Sequence, residues 1–222
     1  MTAVLTLADP PVASGSQREI YMHPHDPTKV IKVLRSMPLT KGRSKLATGT
    51  EKHFPSLRSR WARKEYTEYL RLMLGSAGGA LHSPIAHMYG FVKTDQGLGC
   101  LSDAVLEGGK LGPTLERCVK SGALTADDLA LLNDLIARLY RYDIRAGDLT
   151  ARNIVFGQRN LTGQLGPREC VLVDGFGDIH AIPIRSLGRV FNRYGLDDSC
   201  KRMARRMGLG WVQQTRQFTL PD

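Results

Sequence analysis

Between Asp148 and Asn153 the chain reads Asp-Leu-Thr-Ala-Arg-Asn, and further on a short apolar run, Val171-Leu172-Val173, ends in Asp174-Gly175-Phe176-Gly177. A helical pattern over Thr125 to Tyr142 precedes the first acid, and a strand pattern over Ile154 to Phe156 follows the amide. That order commits the chain to a mixed α+β design in which polar groups ride on loops held between rigid elements. An acid five residues before a carboxamide, with a second acid at a strand end, is also what ATP-dependent phosphoryl transfer requires. One acid orients or deprotonates a hydroxyl, while the amide and the other acid hold Mg²⁺ against the triphosphate. Either half alone is common, and the order of the two carries the signal.

Length and composition set bounds around this core. At 222 residues the chain fits one large domain or two small lobes, and 42% hydrophobic with 23% charged residues is ordinary for a globular protein. No run approaches the roughly 18 to 20 apolar residues of a membrane helix, and Met1 to Leu7 lacks the features of a secretion signal, so the expected location is cytoplasmic. Cys100, Cys118, Cys170 and Cys200 are scattered, which argues against a zinc cluster or a disulfide framework. His23-Pro24-His25 reads as a tight turn between strands rather than a metal site. The net charge of +10 and pI near 9.7 attract phosphate-bearing or acidic partners without choosing among them.

Along the chain, Ala3 to Leu7, Glu19 to Met22 and Thr28 to Leu34 are strand candidates, followed by a polar loop from Pro38 to Pro55. Ser56 to Leu74 reads as a helix ending at Gly75, with Gly78-Gly79 beyond. Met88 to Thr94 and Leu98 to Ala104 flank Asp95-Gln96-Gly97 as a hairpin, and Glu107-Gly108-Gly109-Lys110 is expected as a flexible break between lobes. Thr114 to Lys120 reads as a short helix. Thr125 with Asp128 forms a capping signature for the next helix, whose apolar stripe is Leu129, Leu132, Leu135 or Ile136, and Leu139. A last amphipathic helix, Gly195 to Gly208, is expected to end the folded region.

Several positions carry the chemistry. Lys32 stands inside an apolar strand, where an unpaired lysine is costly, and suits the nucleotide phosphates; the bland alternative is an edge or solvent-facing lysine. Its expected helix partner is Glu65, which shares a face with Trp61, Tyr69 and Leu72, whereas Glu68, with Lys64 and Arg71, is expected on an exposed ion-pair face. Gly15 and Ser16, in Ser14-Gly15-Ser16, make either a weak phosphate loop or an ordinary turn. Asp148 is the candidate catalytic acid, with Arg152 reaching the transferring phosphate; Asn153 and Asp174 are the candidate metal holders. The bland reading of the Asp148 loop is a helix-to-strand connection; Asp178 is either a further acid near the metal or a surface turn residue, the latter being favoured. Lys201, Arg202, Arg205 and Arg206, opposite a stripe of Leu196, Cys200, Met203 and Met207, form a solvated basic face or a docking surface for an acidic protein, lipid or nucleic acid.

These residues resemble a protein-kinase-like fold and, more closely, the bacterial YrbL family of the PhoP regulatory network. The resemblance runs through Ser14 to Leu34, Arg63 to Leu70, Pro84 to Thr94, Leu101 to Leu115, Asp148 to Phe156 and Val171 to Pro183. It implies a bilobal fold, with a β-rich N-lobe carrying one long helix over 1–106 and a reduced helical C-lobe over 107–222. It further implies ATP and Mg²⁺ as cofactors, Lys32 as the phosphate lysine, Glu65 as its partner and Asp103 to Leu106, including Val105, as the hinge beside the adenine. Asp148 would be the catalytic acid, and Asn153 and Asp174 the metal holders. Departures are as specific: Ala146-Gly147 replace the usual His-Arg, Thr150 replaces a lysine for which Arg152 would substitute, and Asp-Gly-Phe-Gly is one residue longer than Asp-Phe-Gly. No Ala-Pro-Glu-like motif follows, and the 45 residues from Asp178 to Asp222 leave a reduced lobe.

The expectation is therefore a phosphotransferase binding Mg-ATP and acting on a protein or small-molecule hydroxyl. Two rivals stand beside it: a pseudokinase that binds nucleotide as a regulatory or adaptor protein, and a basic nucleic-acid or membrane-surface binder.

Overall fold

The computed structural model describes residues 4–7, 9–15, 18–34, 55–76, 81–161, 163–178 and 183–221, with side chains for all of these except 55–60. The loop expected from Pro38, Gly78-Gly79 and Ser16 lie outside the described residues. The chain forms two compact units, one of Met1–Arg63 with Met88–Ala104, the other of Lys64–His87 with Val105–Asp222.

The first unit is built on a five-stranded antiparallel sheet of β1 (Ala13–Ser14), β2 (Arg18–His23), β3 (Asp26–Leu34), β4 (Met88–Thr94) and β5 (Gly97–Asp103). The strand order is β1-β2-β3-β5-β4. The β-branched content of β3 suits its central place, where Ile31 and Val33 pack with Leu7 and Tyr21. Pro24 and His25 form the β2–β3 turn, as expected. The strand after it opens at Asp26, earlier than Thr28, although Pro27 has no amide to donate. Asp26 anchors this start: its carboxylate accepts from Thr28 N at 3.0 Å and from Lys29 Nζ at 2.5 Å. Those bonds to Lys29 and Thr28 bring its pKa down to about 2. The expected strand at Ala3 to Leu7 is reduced, among the described residues, to a single parallel bridge between Leu5 and Thr94.

Helix α1 spans Pro55–Gly75. The second unit continues with β6 (Leu106–Glu107) and β7 (Lys110–Leu111), then α2 (Leu115–Lys120) and α3 (Ala126–Arg141). Gly108 and Gly109, at φ of 57° and 76°, turn the expected break into a tight β-hairpin, because only residues at ease with positive φ fit such a two-residue loop. Thr125 and Asp128 form the predicted capping box of α3, and Leu132, Leu135, Ile136 and Leu139 are fully buried. Strands β8 (Ile154–Gly157) and β9 (Glu169–Leu172) pair antiparallel, and Ala86, Val105, Val155 and Val171 pack together. Arg159 is buried beneath this layer, with Nε 2.8 Å from Glu169 Oε1 and Nη2 2.9 Å from Oε2.

Helix α4 covers Arg189–Met207, beginning earlier than its expected start at Gly195. It does not end the fold. Strands β10 (Gly210–Val212) and β11 (Gln217–Thr219) form a hairpin whose Phe218 is fully buried. Asn133 of α3 clamps it, donating to Phe218 O at 3.1 Å and accepting from Phe218 N at 2.7 Å. The sequence hid this element because each strand is only three residues long, too short for an alternating pattern. The four cysteines are buried and unbridged. Among the described residues no helix is long and apolar enough to cross a membrane.

Candidate functional site

The second unit brings the Asp148 loop and the Asp174 turn together as two hydrogen-bonded segments. Asp148 N donates to Gly175 O at 3.0 Å and Gly147 N to Gly177 O at 3.1 Å, while Gly177 N donates to Arg145 O. Val173 N donates to Asn153 O at 2.8 Å, which fixes the far end of the loop to the strand leading into Asp174. The Asn153 carboxamide closes the loop on itself: Nδ2 donates to Asp148 O at 2.9 Å and lies 3.4 Å from Asp148 Oδ2. Asp148 and Arg152 are exposed, and Asn153 and Asp174 half-buried.

Glu65 belongs to the same group. It is buried on α1, and its Oε1 accepts from Gly175 N at 3.3 Å, a hydrogen that Asp174 Oδ1 also takes at 2.8 Å. Gly177 is seated against the same helix turn, where an added Cβ would meet Lys64 O at 2.8 Å. With φ of 78° at Gly175 and 96° at Gly177, both positions favour glycine on backbone grounds as well.

Two expectations for nearby acids require correction. Glu68 is not on an exposed face; it is 2% exposed. Arg71 reaches it as the three-residue spacing predicts, at 2.6 Å, but so does Arg145, through its main-chain N at 2.9 Å and Nη1 at 3.2 Å. That segment covers the face which helical periodicity alone left to solvent, and the Glu68 hydrogen bond raises the Arg71 pKa. Glu68 and Arg145 thereby position the start of the Asp148 loop, and the sequence offered only their opposite charges as a signal. Asp178 is likewise buried rather than on a surface turn, its Oδ2 accepting from Ser186 N at 3.0 Å and Oγ at 3.2 Å. A bend after Asp174 that places the acid beneath the Ile184–Leu187 turn has no local sequence signature.

In the first unit, Lys32 lies in the central strand, opposite Ile20 on β2 and Cys100 on β5, and is 6% exposed, so it is neither an edge nor a solvent-facing lysine. Gly15 N, just after β1, donates to Arg18 O at the start of β2 at 2.8 Å. Asp103 is buried at the end of β5 and accepts from Tyr89 Oη at 2.8 Å. Val105, buried in the second unit, accepts from Gly112 N at 2.9 Å through its carbonyl.

Among the described residues no group of three or more His, Cys, Asp or Glu is arranged to hold a metal. Magnesium does not need one, since it takes one or two protein oxygens and completes its shell with water and phosphate. Asn153 and Asp174 supply hard oxygen donors, and the commitment of Asn153 Nδ2 to Asp148 leaves its Oδ1 as the accepting atom. Such oxygens are the donor type that ion takes.

A pocket of about 280 Å³ lies on the outer side of the loop, lined by Asp148, Arg152 and the α4 residues Arg202, Met203 and Arg206 among others. The basic face of α4 is exposed, as expected, over a stripe in which Leu196, Cys200 and Met203 are buried. The loop acid and that basic face thus meet, a relation that two stretches far apart in sequence gave no hint of.

None of the curated proteins compared matches the chain. The family model described as PhoP regulatory network protein YrbL matches residues 5–208, which leaves the last hairpin outside the match. The chain belongs to the YrbL family.

Proposed function

We propose that the chain is an ATP- and Mg²⁺-dependent phosphotransferase built on a protein-kinase-like scaffold, with Asp148 as the acid that receives the acceptor's proton. The observation that carries the reading is the union of the Asp148 loop with the Asp174 turn, tied by the Asp148 amide on Gly175 O and the Val173 amide on Asn153 O. Phosphoryl transfer needs little covalent help from a protein and much positioning, and these bonds hold an acid, a carboxamide and a second acid on one rigid scaffold.

In the reaction, the acceptor's hydroxyl oxygen bonds to the γ-phosphorus of ATP as its proton passes to the Asp148 carboxylate. The bond from that phosphorus to the β–γ bridging oxygen breaks, and ADP leaves with the electron pair. Asn153 and Asp174 would hold Mg²⁺, which when bound neutralises charge on the phosphates. Buried Lys32, in the central strand of the sheet, is the first unit's candidate for the nucleotide phosphates. The family description, a regulatory network protein, suits an enzyme that signals.

Thermal unfolding with and without millimolar Mg-ATP tests the binding step, and ADP release tests transfer. Asp174→Ala is expected to lose the nucleotide-induced stabilisation, while Asp148→Asn keeps it and loses transfer. Absence of stabilisation in the wild-type protein sinks the proposal; stabilisation with no transfer to any acceptor replaces it with a nucleotide-binding regulator.

A further inference from the structure

The pocket beside Asp148 has a charge pattern that the nucleotide site does not use. Arg152 comes from the loop, and Arg202 and Arg206 come from one face of α4, four residues apart. Arg202 is held by Asp198 and by Ser199 Oγ at 3.1 Å. Among the described residues no side-chain hydrogen bond or ion pair engages Arg152 or Arg206. Glu116, the pocket's other acid besides Asp148, is paired with Lys120 at 3.1 Å. Asp198 answers Arg202, which leaves the forks of Arg152 and Arg206 beside the single Asp148 carboxylate, and a guanidinium fork matches phosphate and carboxylate oxygens.

Size narrows the choice. At about 280 Å³ the hollow is near the lower bound of small-molecule sites, which run to roughly 300–1,000 Å³. Met203 and Leu149 give it an apolar floor that suits a short carbon skeleton.

We infer that the acceptor is a small alcohol bearing a phosphate or carboxylate, seated by Arg152, Arg202 and Arg206. Its anionic end is repelled by the Asp148 carboxylate, so the hydroxyl faces that acid. The hydroxyl's role rests on the phosphotransfer reading above, whereas the anion pocket stands apart from it. On transfer, the hydroxyl oxygen bonds to the γ-phosphorus, its proton goes to Asp148, and ADP leaves.

Calorimetric titration of the full chain with inorganic phosphate, and ADP release with glycerol 3-phosphate, glycerol or an acidic serine peptide, test the inference. Phosphate is expected to bind the wild-type chain and to bind Arg206→Gln about tenfold more weakly, the loss of a charge-assisted bond, with Arg206→Lys between them. Mg-ATP stabilisation in these variants is expected to match the wild type, which also shows that they fold. Glycerol 3-phosphate is expected to stimulate ADP release beyond glycerol, with a raised KM in Arg206→Gln. Phosphate binding that is absent, or unchanged in Arg206→Gln and in the Arg202→Gln/Arg206→Gln double variant, overturns the pocket. Equal stimulation by glycerol, or stimulation by the peptide alone, overturns the acceptor class. Arginine-dependent phosphate binding without any Mg-ATP stabilisation keeps the pocket but removes the phosphotransfer reading, and with it the acceptor role.

Discussion

Gly175 faces Asp148 so closely that a Cβ at Gly175 would stand 2.4 Å from the Asp148 carbonyl oxygen and 2.7 Å from Asn153 Nδ2. The same residue donates its amide toward Glu65, so one glycine ties the turn, the loop and the helix. Gly175→Ala is expected to cost about 1–2 kcal/mol for a left-handed conformation and a further ~1–3 kcal/mol for displacing the loop. Urea denaturation measures the sum. A change within ~0.5 kcal/mol, the range of an ordinary surface substitution, would show that the two segments do not depend on this contact.

Glu68 gives a second test of how the loop is held. It is buried, and its two oxygens serve Arg71 and the main-chain and side-chain nitrogens of Arg145, whose carbonyl takes the Gly177 amide. Removing the acid leaves two guanidiniums and an amide without it, and a broken buried pair typically costs about 3–5 kcal/mol. Glu68→Ala is expected to fall in that range. Arg71→Met is expected to cost less, since Arg71 is half-exposed while Arg145 remains. Faster hydrogen exchange at Gly177 in Glu68→Ala would show that the damage travels to the Asp174 turn.

The sequence made the elements legible where pattern and capping agreed. Thr125 with Asp128 fixed the start of α3, and the burial of Glu65 followed from its place beside Tyr69 and Leu72. It failed where burial comes from a distant segment. The spacing of Glu68 and Arg71 predicted their contact correctly and their exposure wrongly, because nothing local says that Arg145 closes over them. Asp178 failed for the same reason, and so did the pocket, which needs the loop and α4 to meet. Short-range pattern finds candidates for the site; long-range packing decides which of them it holds.

The buried Arg159–Glu169 pair makes stability depend on pH in a defined direction. Burial alone pushes the Glu169 carboxyl up, but the Arg159 hydrogen bonds and charge, with His82 at 3.0 Å, outweigh it and hold the pKa below the ordinary 4.5. A carboxyl depressed on folding contributes stability in full above its unfolded pKa and loses it as pH falls through the folded value. Glu169→Gln is therefore expected to lower stability by about 3 kcal/mol at neutral pH, and by progressively less as the pH falls below 4.5. Chemical denaturation of both proteins at several pH values checks this. A gap that stays constant would assign the effect to shape rather than charge.

The terminal hairpin is the element whose dependence on one contact set is easiest to test. Phe218 is buried, packs against Trp211 with ring centroids 4.9 Å apart and planes tilted at 57°, and is hydrogen-bonded through both its backbone N and O by Asn133 of α3. Arg216 adds a second anchor, its guanidinium 4.3 Å from the Tyr140 ring centre while Tyr140 Oη donates to Asp197 at 2.6 Å. A two-stranded hairpin of this length is marginally stable at best in water, so its order comes from contacts with α3 and α4. Phe218→Ala is expected to cost about 3–5 kcal/mol, as large-to-small changes of a buried aromatic do. Asn133→Ala keeps the ring and removes both clamps, and is expected to cost about 1–3 kcal/mol. Limited proteolysis followed by mass analysis distinguishes local from global loss. Cleavage confined to the segment after Gly208 in Asn133→Ala would mark the hairpin as a separately melting flap; resistance equal to wild type, with the whole chain unfolding at lower urea, would make it an integral wall of the α3 core.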